Sequence, residues 1–224
     1  MYTPPMFKPD RAASLSSAEA RGFGTACAWD GKRPIASSLP FYLDFADDGT
    51  PVALFHVARN NPLIQAADGV RPWVLAVNGV DAYVTPDWYV SADQVPTWLY
   101  QAVHLTGPVR TLSGDELAVQ IDTLSAKFET RLLPKKPWTS AKMTAARLEA
   151  LKKGIVGLAM QVEDVEGSFK LNQQKSEADY AAVANGLAAL PDHASQTIAQ
   201  LMRETRPQAF AATTNETATL EGSM

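Results

Sequence analysis

The feature that most constrains this chain is the punctuation of its first 110 residues: short apolar segments cut by Asp-Gly turns. Gly24–Trp29 is followed by Asp30-Gly31-Lys32, Pro34–Phe45 by Asp47-Asp48-Gly49, and Val52–Ala58 forms a third segment. Short connections that contain Gly join antiparallel neighbours, so these segments predict an antiparallel meander. Asn60-Asn61-Pro62 stops the third strand, and Leu63–Ala67 predicts a short helix. Trp73–Val77, Ala82–Thr85 and Val95–Val109 predict further strands. In the last, Trp98, Tyr100, Ala102 and His104 share one face, and Thr97, Leu99, Gln101 and Val103 the other. Strands this frequent, with such short turns, predict a closed or nearly closed barrel.

The periodicity then becomes helical. Ser16-Ser17-Ala18-Glu19 reads as a capping box with Ser16 as N-cap, opening a short helix that ends by Gly22 or Gly24. Ser113-Gly114-Asp115-Glu116 opens a helix to about Leu132, and Pro134 and Pro137 break the chain after it. Thr139 is expected to cap a helix carrying Met143, Leu148 and Leu151 and ended by Gly154. A strand over Ile155–Val162, a turn at Glu166-Gly167 and a strand over Ser168–Leu171 follow, then helices from Ser176 to Leu190 and from Asp192 to Thr205. The class is α+β, a β-barrel core with peripheral helices. Residues 1–206 read as one domain. Residues 207–224, with few large apolar side chains, read as a disordered tail.

Composition excludes several chemistries. A formal charge of −4 supplies no basic footprint for a general nucleic-acid binder. The single cysteine, Cys27, rules out an intrachain disulfide, a cysteine zinc site and an iron–sulfur cluster, and its apolar neighbours mark it as a small buried hydrophobe. His56, His104 and His193 fit no metal spacing, so no metal is expected. There is no GxSxG, no Walker loop and no GxGxxG. The N-terminus lacks a signal-peptide pattern and no run approaches the ~20 apolar residues of a membrane span, so a soluble cytoplasmic protein is expected.

Four segments carry candidate chemistry, each with a plainer reading beside it. Ser37 and Ser38 lie beside Pro40 in a strand and gather hydroxyls at one spot, or mark a bulged edge. Arg59, at a strand end before Asn60 and Asn61, can grip a phosphate bidentately, or is a solvated turn residue with Lys170 or Lys175 in that role. The Trp- and Tyr-rich stretch from Tyr83 to His104 suits an interface or a flat ligand, or fills a core. Phe169–Ser176, with two cations and three amides ahead of a helix, is an anion site or a soluble loop.

The succession Met1-Tyr2-x-Pro4, His56-Val-Ala-Arg59-Asn-Asn-Pro62, Tyr83-Val-Thr-Pro86-Asp-Trp88-Tyr89, Val95-Pro96-Thr97-Trp98-x-Tyr100-x-Ala102-Val103-His104, Gly154-Ile-Val-Gly157 and Lys170-Leu-Asn-Gln173-Gln-Lys175 closely resembles the PaiB-like family, described as FMN-binding negative transcriptional regulators. The resemblance implies a split β-barrel of the pyridoxamine-phosphate-oxidase type and a homodimer with FMN near the subunit interface. Carried over by position, it implies Ser37, Ser38 and Leu39 along the flavin and Arg59 and Asn60 near its phosphate. Thr97 and Trp98 would line the interface side, Gln173 and Lys175 would approach from the C-terminal part, and His56 joins the cofactor-contacting set. Three positions depart from the family pattern: Met6 replaces a histidine, Asn172-Gln173-Gln174 a Ser-Gln-Asn triplet, and Asp87 a serine. The implied function is FMN-binding regulation of the PaiB type. The alternatives are an FMN-dependent oxidoreductase acting on a small molecule, with His56, His104 or Tyr100 as acid or base, and a barrel that is empty or binds haem. No basic recognition helix is legible, so direct DNA binding stays open.

Overall fold

The computed structural model of the chain describes residues 1–214. Residues 11–77 and 103–166 form one compact unit, the barrel unit; residues 1–10, 78–102 and those from Gly167 onward form a second, the helical unit.

The barrel unit opens with α1 (Arg11–Arg21), β1 (Phe23–Trp29), β2 (Pro34–Phe45) and β3 (Pro51–Ala58), and contains the first part of β4 (Asp68–Val84) and the second part of β5 (Thr97–Thr111). It continues through α2 (Gly114–Thr130), α3 (Ala145–Lys152), β6 (Ile155–Gln161) and the start of β7 (Asp164–Lys170). The meander forms as expected. β1 runs antiparallel to β2 with Thr25 opposite Ser38, and β2 to β3 with Phe41 opposite Phe55. The Asp30 carboxylate holds the first turn by accepting the Lys32 and Arg33 N–H groups at 2.8 and 2.9 Å, and Gly31 supplies the left-handed φ of 96°. β3 pairs with β6, β6 with β5, and β1 with β4. The full strand order is β4-β1-β2-β3-β6-β5-β7, and β4 pairs additionally with β5, so the order returns on itself. Phe41, Phe55, Trp73, Leu75, Leu105, Leu158 and Met160 are all essentially inaccessible. Each such side chain contributes about 1.5–3 kcal/mol relative to exposure.

Several expected boundaries move. Ser16 does not cap α1: the helix starts five residues earlier, at Arg11, and buries Ser14 and Ala18. Its end is as expected, with Gly22 at φ 58° and its N–H on the Ala18 carbonyl. The Ser113–Glu116 capping box forms in both directions. Thr139 instead starts a one-turn 3₁₀ segment, Ser140–Lys142, and Thr144 caps the short α3. Glu166-Gly167 lies inside β7 rather than in a turn. The two strands expected over Trp73–Val77 and Ala82–Thr85 are one continuous β4.

The helical unit contains the rest of β4, β5 and β7, then α4 (Glu177–Ala188), α5 (His193–Thr205) and a 3₁₀ segment from Pro207. Ser176 and Asp192 cap the two helices, as their positions suggested. Tyr180, Val183, Leu187, Ile198 and Met202 make the core with Val84, Leu99 and Leu171. The Tyr180 hydroxyl donates to the Met202 carbonyl at 2.8 Å, and burial pushes its pKa up to about 12. Gly79, inside β4, is held against Gln101, whose carbonyl oxygen would lie 3.3 Å from an added Cβ. The onset of the tail also differs from expectation. Ala209 is buried, and Phe210 stands edge-on to Tyr180 at 6.2 Å beneath the Arg203 guanidinium. The remainder of the expected tail, from residue 215, lies outside the described residues.

Candidate functional site

The residues singled out in sequence separate into two groups, one in each unit. In the barrel unit the β3 end is built around Arg59. Its backbone N–H donates to the Gly154 carbonyl at 2.9 Å. Its Nε donates to the Lys153 carbonyl and its Nη2 to the Ile155 carbonyl at 3.0 Å. The guanidinium thus caps the C-terminal end of α3, where orphan carbonyls and the helix dipole favour a cation. The side chain is still exposed, so its remaining N–H edge faces solvent. Asn61, not singled out by residue chemistry, ties this end to β2: its Nδ2 donates to Ser37 Oγ at 2.9 Å while its Oδ1 accepts the Leu63 N–H. Ser38 is exposed, 3.3 Å from Thr25 Oγ1, and Asn60 is exposed. Leu39, 3% accessible, belongs to the core, so its side chain offers no open surface.

His56 sits elsewhere in that unit. It lies opposite Gly157 on the β3–β6 ladder and beside Gln120 of α2. Burial is the main cause that lowers its pKa; the neighbouring Gln120 opposes this. The two side chains interact, but without normal hydrogen-bond geometry: His56 Nδ1 and both Gln120 polar atoms are buried and unpartnered.

In the helical unit the candidates are bonded internally. Gln173 donates to the Phe169 carbonyl and accepts the Leu171 N–H, closing the loop after β7 on itself. Lys175 donates to Gln94 Oε1 and lies over the Tyr89 ring at 4.9 Å. Thr97 accepts from Lys170 Nζ at 2.7 Å. Trp98 is the exception, 53% accessible and edge-on to Tyr83 at 5.9 Å. Asn172, at φ 62° and fully buried, donates to the Tyr89 hydroxyl.

The organiser of this loop is Asp179, which sequence reasoning passed over. Its carboxylate accepts from the Val90 and Ser91 N–H groups, the Ser91 hydroxyl and the Ser176 hydroxyl. These bonds, the Ser91 backbone N–H foremost, hold its pKa below the usual carboxylate value. The available signal was Ser176-x-x-Asp179, a cap-like spacing at a helix start.

A family model described as "Putative FMN-binding domain" matches residues 1–164, nearly three quarters of the chain. The chain belongs to this family. FMN is therefore the cofactor assigned to it, and the PaiB-like resemblance holds. The protease synthase and sporulation protein PAI 2 of Bacillus subtilis is 32% identical over 205 residues, covering 91% of this chain and 97% of that protein. An uncharacterized protein of Emericella nidulans is 29% identical over 203 residues, 75% of this chain and 81% of its own. Among solved structures, the FAD and heme binding protein of Mycobacterium smegmatis superposes with a TM-score of 0.52 at 15% identity, covering 72% of this chain and 71% of that one. A conserved hypothetical protein of Mycobacterium tuberculosis gives 0.54 at 8%, covering 78% and 92%. At these identities the likeness concerns the fold alone, and the α+β split-barrel class is the fold of this FMN-binding chain. Among the described residues, no helix is long and apolar enough to cross a membrane.

Proposed function

We propose that this chain is an FMN-binding regulatory protein of the PaiB type, acting as a homodimer, and that it holds the flavin phosphate at the β3 end of the barrel unit. The observation that carries this reading is the Arg59 guanidinium, pre-oriented by the Lys153 and Ile155 carbonyls and still exposed. A donor whose direction is already set loses less entropy on binding an anion. The donor set suits the group: a cation for the phosphate, with Ser38 and Asn60 able to bond oxygens of the phosphate or the polyol chain. FMN supplies redox capacity when bound; the chain's own residues bind and orient it. Homodimer formation is supported by the exposed Tyr83–Trp98 pair, residue types enriched in interface cores.

The test titrates FMN and riboflavin into wild type and Arg59→Ala. FMN affinity is expected to fall about tenfold to a hundredfold, as loss of a charge-assisted phosphate contact implies, with riboflavin nearly unaffected. Equal loss for both ligands, or none for either, overturns the phosphate role. Arg59→Gln, which retains donors for the two carbonyls but not the charge, separates phosphate binding from α3 capping. Stopped-flow mixing with NADH distinguishes regulator from oxidoreductase: fast bleaching of the bound flavin favours the enzyme.

A further inference from the structure

The chain's net charge of −4 conceals a segregation. Residues 131–153 hold seven of its 20 Lys and Arg and one of its 24 Asp and Glu, a local charge of +6; the other 201 residues carry −10. This segment, the α2–α3 connection plus α3, contains no buried residue. Local bonds give it shape. Glu129 accepts from Lys135 Nζ and the Trp138 N–H, and the Pro137 carbonyl accepts from Lys142 Nζ. Lys135 and Lys152 have carboxylate partners, in Glu129 and Glu149; Lys136, Arg147 and Lys153 have none among the described residues. α3 also buries none of its own residues, which is unusual for a helix that tertiary packing should sustain.

We propose that residues 131–153 form a binding surface for the phosphate backbone of nucleic acid, without base specificity. An exposed cluster of +6 on an otherwise acidic protein is the charge pattern a polyanion recognises, and the acidic remainder limits other modes of approach. An anionic membrane would also attract the cations, but α3 has no apolar face to insert. Its two large apolar residues, the half-buried Leu148 and the exposed Leu151, each adjoin a cation, Arg147 and Lys152. The inference deepens the regulatory reading by giving it a direct route to DNA. The two remain separable: regulation through a partner protein would leave transcripts altered in a deletion strain even if no DNA were bound.

The test is fluorescence anisotropy of the full chain with a labelled DNA duplex of arbitrary sequence. With about four phosphates neutralised, affinity should fall about a hundredfold from 50 to 200 mM salt. The triple variant Lys136→Glu, Arg147→Glu, Lys153→Glu should lose at least about tenfold in affinity and most of the salt slope. The matching Gln triple variant, which adds no repulsion, should fall in between, provided both variants melt like wild type. Absence of binding at 50 mM salt, or binding that neither triple variant weakens, overturns the proposal. So does tighter binding to equimolar phosphatidylserine–phosphatidylcholine vesicles than to DNA, which would assign the surface to lipid. Salt-dependent self-association that the charge reversals abolish, without DNA binding, would assign it to a second copy and equally overturn it.

Discussion

In the barrel unit, Ser38, Arg59 and Asn60 stay exposed although Arg59 and Ser38 already hold partners, whereas in the helical unit the polar groups of Thr97, Gln173 and Lys175 are bonded within that unit and Gln173 and Lys175 are part-buried. Both groups looked alike in sequence: polar side chains at the edge of a strand. The difference lies in how each segment satisfies its backbone. At the β3 end, Arg59 and Asn61 fasten the strand to the α3–β6 junction and to β2, and the remaining N–H edge of Arg59 stays at the surface beside the exposed Asn60. After β7 the chain turns through the left-handed Asn172 and starts α4, and the Gln173 side chain serves the backbone of that loop while Lys175 bonds Gln94. On the proposed reading, what separates the two groups is exposure rather than polarity.

The largest effect that would sharpen this contrast is expected for Asp179→Ala. It strands two N–H groups and two hydroxyls at a position that is 4% accessible. The cost is about 3 kcal/mol, or about 6–12 °C in Tm for a chain of this size. Because its folded pKa is depressed, the stability Asp179 supplies is present above the unfolded carboxyl pKa and fades as pH falls through the folded one. Melts of wild type and variant should therefore converge in acid; an equal gap at pH 3 and pH 7 would contradict this. Truncation after Arg206 comes next. It removes Ala209 and the Phe210 ring contacts with Tyr180 and Arg203, at about 2 kcal/mol; a truncated chain that melts with wild type would show that this packing contributes nothing. Ser38→Ala should weaken FMN about twofold to tenfold, as loss of one neutral hydrogen bond implies, measured by flavin fluorescence quenching. Smallest is Lys175→Ala. It forfeits about 0.5–1 kcal/mol of cation–π contact with Tyr89 and leaves FMN affinity unchanged. A loss of FMN affinity as large as that of Arg59→Ala would erase the distinction between the groups.

What was legible in the sequence is what is local. The Ser113 capping box, the helix starts at Ser176 and Asp192 and the Asp30 turn depend on partners within three residues, and they form where expected. What depended on distant partners was not legible. Trp73–Val77 and Ala82–Thr85 read as two strands until β4 runs through both, Ser16 reads as a cap until α1 extends past it, and Phe210 reads as tail until Tyr180 receives it. At the candidate site, the position of Arg59 at a strand end follows from the Asn-Asn-Pro stop. Its attachment to the Lys153 and Ile155 carbonyls, more than 90 residues away in sequence, does not.

The helical unit is assembled from three separated stretches of chain, 1–10, 78–102 and the part beginning at Gly167. During synthesis, Val84, Tyr89 and Leu99 emerge long before Tyr180, Ile198 and Met202, which complete their core. At about 5–20 residues per second, the roughly 100 residues between them take on the order of 5–20 s to appear. Throughout that interval the apolar ends of β4 and β5 lack their permanent cover, so the ribosome-bound chain is a natural client for holdase chaperones. Synonymous codons that slow translation between residues 103 and 166 should lower soluble yield without altering the finished protein.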